Sequence, residues 1–166
     1  MHSPQANITP SFKLEPNGKI IKARMAGSKN KINLAVLYFC YNREDHLRQS
    51  LPKIVEFKNE LPLFVFCDGP RKEDKKQAQK VRDYLTKTLL HSKNCKLIFR
   101  EKNFGLADNI ISGVNYVFSL GYDTVTVLED DCVPHSNYFD YMQCTLRHYF
   151  NFDNVMHISA FGMPFK

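Results

Sequence analysis

Long apolar runs are missing from this chain. The longest, Leu34 to Tyr41, is too short to cross a bilayer. The first thirty residues lack the apolar core of a secretory signal, so a cytoplasmic protein is expected. No two cysteines are spaced C-x-x-C, and their number is odd: Cys40, Cys67, Cys95, Cys132 and Cys144. That argues against a disulfide framework and against a zinc site. No internal repeat and no nucleic-acid-binding motif is present. Acidic residues are scarce at the start, where Lys13, Lys19, Lys22, Arg24, Lys29 and Lys31 face only Glu15 before residue 32. This basic arm, residues 1–31, is punctuated by Pro4, Pro10, Pro16 and Asn17-Gly18 and reads as flexible, apart from a small hairpin joining Phe12–Leu14 to Ile20-Ile21. Together with a net charge of +6, it favours an anionic partner such as a nucleotide, an acidic membrane surface met peripherally or nucleic acid; with no nucleic-acid motif beside it, a solvated, soluble arm is the plainer reading.

What is present is enough for one domain. Hydrophobic residues make up 43% of 166 residues, with 13 Phe and 8 Tyr, which excludes a disordered composition. From residue 32 onward, short β-rich runs alternate with helical periods. Ile32 to Cys40 is a near-continuous apolar strand of the kind found at the centre of a parallel sheet. A helix follows with Leu47, Leu51, Ile54 and Val55 on one face, and Pro52 inside it is expected to kink or restart it. Leu63 to Cys67 is the second strand, closed by Asp68-Gly69-Pro70, and a charged helix runs from Glu73 to Leu90 over Ala78, Val81, Leu85 and Leu89. Lys96 to Phe99 is a third strand, and the loop Glu101–Gly105 opens a helix with Leu106, Ile110, Ile111, Val114, Val117 and Phe118 on its inner side, ended by Gly121. Ser136 is placed to cap a helix whose inner residues are Tyr138, Met142, Leu146 and Tyr149, and Val155 to Ala160 reads as a fifth strand. The fold class is therefore α/β, a Rossmann-like, mostly parallel sheet with flanking helices.

The stretch that organises the chain is Tyr122 to Leu128, a β-branched run ending in Glu129-Asp130-Asp131. Buried strands have no use for unpaired carboxylates. The acids therefore belong just past the strand end, facing a cation or hydroxyl groups. Asn42-Arg43 and Asp68-Gly69 also follow strand ends, and in a parallel sheet all three loops share the edge where ligands bind. Each has a plainer alternative: a solvated acidic turn, a surface arginine at a helix start, a turn acid before Gly-Pro. None of the scattered histidines is assigned to a metal. The three cysteines at strand ends, Cys40, Cys67 and Cys132, read as small buried hydrophobes.

Four segments in order, Phe39–Arg43, Val65–Gly69, Asn103–Asn109 and Val127–Asp131, resemble the nucleotide-sugar-binding half of a GT-A glycosyltransferase. The likeness is to family-two-like enzymes and to the N-acetylglucosaminyltransferase I type, which carries an EDD variant of the DxD motif. The resemblance implies a divalent metal, Mn²⁺ or Mg²⁺, on Asp131. It implies ribose or donor-sugar contacts from Asp130 and Glu129, a base or ribose contact from Asp68, a basic residue at the nucleotide pocket in Arg43, and a loop along the nucleotide at Asn103 and Gly105. It also implies a nucleotide-sugar donor, most simply a UDP-sugar, an acceptor of unknown identity, and no nucleic-acid partner. In such enzymes the second half commonly supplies the catalytic base. No carboxylate after Asp131 matches that motif, so the expectation is a domain truncated at its C-terminus. Two readings stay open: a glycosyltransferase or fragment of one, and a remnant that binds donor without turnover or is inert. A nucleotidyltransferase would need a Gly-rich phosphate loop after the first strand, and a signalling receiver domain would carry its acids there.

Overall fold

The computed structural model describes residues 32–160; the N-terminal hairpin and arm anticipated above lie outside the described residues. Four strands, β1 (Leu34–Cys40), β2 (Leu63–Cys67), β3 (Cys95–Phe99) and β4 (Thr124–Glu129), alternate with α1 (Glu44–Phe57), α2 (Lys75–Leu89), α3 (Leu106–Ser119) and α4 (Tyr138–Tyr149). The sheet is parallel throughout, in the order β3-β2-β1-β4. Ile32–Phe139 forms one compact unit, and the chain from Asp140 onward belongs to a second.

β1 is central, and every one of its residues is buried, which is why its sequence shows no polar alternation. Its even-numbered side chains, Val36, Tyr38 and Cys40, join Leu63, Val65 and Cys67 under Leu47, Leu51 and Ile54 of α1 and Val81, Leu85 and Leu89 of α2. Its odd-numbered ones, Ala35, Leu37 and Phe39, join Phe64, Phe66 and Val117 of α3 on the opposite face. The chain thus steps outward from β1 to β3 with helices on one face, then returns past β1 to β4 with a helix on the other. The order reverses between β1 and β4. A reversal of this kind leaves a crevice at the carboxyl ends of the two strands, because the loops leaving them diverge to opposite faces.

Several expectations need correction. Cys132, read with Cys40 and Cys67 as a small buried hydrophobe, is exposed, because it follows the turn that leaves β4. Pro52 does not restart the helix but lies inside a continuous α1; Leu51 and Ile54, fully buried on either side of it, hold the helix through the lost hydrogen bond. The seam of α3 is Asn109, Gly113 and Val117, whereas Leu106, Ile111 and Phe118 face solvent. Here the helix approaches through its smallest residue: a Cβ on Gly113 would lie 2.7 Å from the Phe39 ring, itself stacked on Phe66. α4 begins at Tyr138, so Ser136 sits outside its first turn and contacts His135 Nδ1 instead, and the buried stripe is Phe139, Met142 and Thr145. Residues 155–160 form no strand; only Val155 and Ile158 in that run are β-branched, and Met156 is 97% exposed.

Candidate functional site

At the carboxyl end of β1, Arg43 occupies the position just before α1, with φ −102° and ψ 82°. Its Nη2 donates to Asp130 Oδ1 and, at 3.3 Å, to Asp131 Oδ2. Both acids follow β4, the strand paired with β1 on that side. Asp130 is only 2% exposed. Ser50 of α1 donates to its main-chain carbonyl at 2.9 Å, and the buried Tyr38 hydroxyl lies 2.6 Å from Ser50 Oγ, so the acid loop is tied to both α1 and β1. A tight turn, Cys132 N–H to Glu129 O at 3.0 Å, aims Asp131 outward, where about half of its side chain meets solvent. Burial pushes the Asp130 carboxyl above its ordinary range, and the Arg43 guanidinium pulls it back only in part. Burial likewise draws the Arg43 pKa down, but the two acids outweigh it and leave it raised.

His46, in the first turn of α1, completes this group. One ligand atom each from His46, Asp130 and Asp131 lie within 4.8 Å of one another. Two carboxylate oxygens and an imidazole nitrogen suit Mn²⁺, and the oxygens suit Mg²⁺ as well. The donor set therefore fits the divalent metal implied by the sequence.

A second group lies at the ends of β2 and β3. Asp68, 5% exposed, has both oxygens engaged. Oδ1 accepts from Gly69 N–H at 2.8 Å and Phe104 N–H at 2.9 Å; Oδ2 accepts from Gly105 N–H at 3.0 Å and Asn103 Nδ2 at 3.1 Å. The loop 103–105 is thereby folded onto β2. Two glycines make the approach possible: a Cβ on Gly69 would lie 2.2 Å from the Lys102 carbonyl carbon, and Gly105 adopts φ +76°. Arg100 braces the loop from beneath, its guanidinium 4.8 Å from the Phe104 ring centre and 5.3 Å from that of Phe66, while it donates to Asn109 Oδ1 and Ser112 Oγ. Tyr41 and Arg71 bridge toward β1: the Tyr41 hydroxyl donates to Asp74 at 2.7 Å and accepts Arg71 N–H at 3.0 Å, and Arg71 Nε donates to Asn103 Oδ1 at 3.3 Å.

Every residue singled out from sequence thus lies at or past a strand end on one edge of the sheet. Arg43, Asp130 and Asp131 meet at β1 and β4; Asp68, Asn103 and Gly105 meet at β2 and β3; Glu129 closes β4 opposite Phe39, outside both groups. His46, Tyr41 and Arg71 were missed. His46 follows Arg43 by three residues, one helical step, and that spacing next to a strand end was the available signal.

A family model described as glycosyl transferase family 2 matches residues 36–149, from β1 through α4. The chain belongs to that family. Its members in general bind a nucleotide sugar and an acceptor and use a divalent metal. A comparison with curated proteins finds no match. Among the described residues, no helix is long and apolar enough to cross a membrane.

Proposed function

We propose that this family 2 glycosyltransferase domain binds a nucleoside-diphosphate sugar along the carboxyl edge of its sheet and presents the sugar for transfer to an acceptor. The observation that carries the reading is the meeting of Arg43, His46, Asp130 and Asp131 at the point where the strand order reverses. Asp131 holds a divalent cation, with Asp130 and His46 beside it. When bound, such a cation neutralises the diphosphate and makes it a competent leaving group. The chain's own residues do the rest. Arg43 adds positive charge at the diphosphate, Glu129 accepts from donor-sugar hydroxyls, and the loop at Asn103 and Gly105 lies along the nucleotide. Asp68 serves the donor through the loop it ties down. A direct contact from Asp68 to base or ribose, as the resemblance implies, costs one of its four internal donors. UDP as the nucleotide, the N-acetylglucosaminyltransferase I type and a membrane-facing basic arm belong to the same reading, as does a cytoplasmic setting; the first two rest on the resemblance and its EDD triplet, the arm on the charge distribution.

An inert remnant is the weaker reading. An inert fold gains nothing from keeping a desolvated aspartate whose pKa is raised at the carboxyl edge where the strand order reverses. Calorimetric titration with UDP, with and without Mn²⁺, tests the proposal: UDP binds, and Mn²⁺ strengthens the binding. Absence of binding by any nucleoside diphosphate in either condition overturns it.

A further inference from the structure

Arg43 and a divalent cation compete for the same two carboxylates. We propose that Arg43 is a built-in counter-ion which the cation displaces, and that the freed guanidinium then turns to the donor diphosphate. The inference rests on the donor-binding reading above and adds an order of events to it.

Three observations carry it. First, Arg43 Nη2 reaches Asp130 Oδ1 and Asp131 Oδ2 at once, so it bridges the two acids that, with His46, form the candidate cation group. Two carboxylates and one guanidinium sum to one negative charge. A doubly charged ion added beside the guanidinium leaves an excess positive charge at close range; release of the guanidinium restores neutrality. Second, one ligand atom each from His46, Asp130 and Asp131 lie within 4.8 Å of one another, so a single ion among them would take the place that the guanidinium now holds between the two acids. Third, the two partners differ in freedom. The Asp130 side chain is 3% exposed and that of Arg43 is 46% exposed. Asp130 is fixed and needs a positive partner at all times, because a buried anion without one is strongly disfavoured. Arg43 reaches in from the junction before α1 and can swing out without disturbing the core. His46 stays behind on the first turn of the same helix, so α1 offers one group to the resident state and another to the loaded state.

Coupling follows directly. Cation binding frees Arg43 for the diphosphate, and the diphosphate, by holding Arg43, favours the cation; the two effects are equal by linkage. The test is calorimetry with Mn²⁺ alone, UDP alone, and both, on the wild-type chain and on Arg43→Gln. Removing a charge-assisted hydrogen-bond competitor should tighten Mn²⁺ binding by about tenfold or more. UDP binding should weaken, and the factor by which Mn²⁺ strengthens UDP binding should shrink. Equal Mn²⁺ affinity in the two proteins overturns the exchange while leaving the cation site intact. Uptake of no cation by either protein, with UDP present or absent, overturns the cation reading and the exchange with it. Should Arg43→Gln fail to fold, the wild-type chain supplies the answer: on Mg²⁺ addition the ¹⁵N-edited signal of Arg43 Nε–H should move toward that of a free guanidinium. Mg²⁺ binding with that signal unmoved overturns the proposal.

Discussion

The two ends of one sheet edge handle buried carboxylates in opposite ways. At β2 and β3, Asp68 receives four donors from its own chain, so its acceptor capacity is filled. At β1 and β4, two acids share one exposed arginine, and the buried member, Asp130, keeps a raised pKa. The first group is complete and fixes the shape of a loop. The second keeps a net negative charge with an imidazole nearby. A satisfied polar network stiffens its surroundings, whereas an undersatisfied one costs stability and is retained where a ligand repays it. On the proposed function, one end of the edge serves stability and the other binding, and substitutions can separate the two.

The largest effect should come from Asp68→Ala. It leaves the N–H groups of Gly69, Phe104 and Gly105 without their acceptor in a partly buried site, and Asn103 keeps only its bond to the Gly69 carbonyl. Even with partial rescue by water, a loss of about 3 kcal/mol or more is expected, read as a fall in the urea midpoint. Next is Gly69→Ala. Its Cβ would meet backbone, not a side-chain tip, so Lys102 cannot yield by rotation. A cost of about 1–3 kcal/mol is expected, with weaker UDP binding as loop 103–105 lifts from β2. An unchanged midpoint in both variants would erase the distinction between the two ends of the edge.

How much of this was legible beforehand follows from where the information lies. β1 and β2 could be read because burial on both faces writes an unbroken apolar run. The shared edge could be read because carboxylates directly after a β-branched run have few places to go. The saturation of Asp68 could not, because three of its donors are main-chain N–H groups, which every residue but proline carries. The inner face of α3 was legible in part: Ile110, Val114 and Val117 do pack inward, but periodicity also credits the exposed Leu106, Ile111 and Phe118, whereas contact with Phe39 selects the absence of a side chain at Gly113. His46 carried only a faint signal, its three-residue spacing from Arg43 beside a strand end; the acids it meets come into range only when β4 is laid beside β1.

At the other end of the edge, Asp131→Asn should barely touch stability. The side chain is about half exposed and its one ion pair is long, so a change within about 0.5 kcal/mol is expected, with slight stabilisation from relieved repulsion at Asp130. Its effect belongs to binding: Mn²⁺ should no longer strengthen UDP binding, because the amide lacks the charge that a hard cation needs. If Asp131→Asn unfolds the protein, the open group is structural after all and the contrast with Asp68 collapses.

The smallest effect, and the sharpest division within the triplet, is expected from Glu129→Gln. Glu129 is the last residue of β4, paired with Phe39, and its main-chain carbonyl already closes the turn to Cys132. Successive side chains diverge at a strand end, and Glu129 is absent from the group formed by His46, Asp130 and Asp131. The substitution keeps size and main-chain bonding and removes only charge. Stability and Mn²⁺-dependent UDP binding should both stay at wild-type values. An intact nucleotide sugar has hydroxyls beyond the diphosphate, and its affinity should fall relative to UDP alone. Parallel titrations of UDP and of a UDP-sugar, each with Mn²⁺, read that ratio directly. Equal loss for both ligands would move Glu129 into the cation group and remove the division of labour among the three acids.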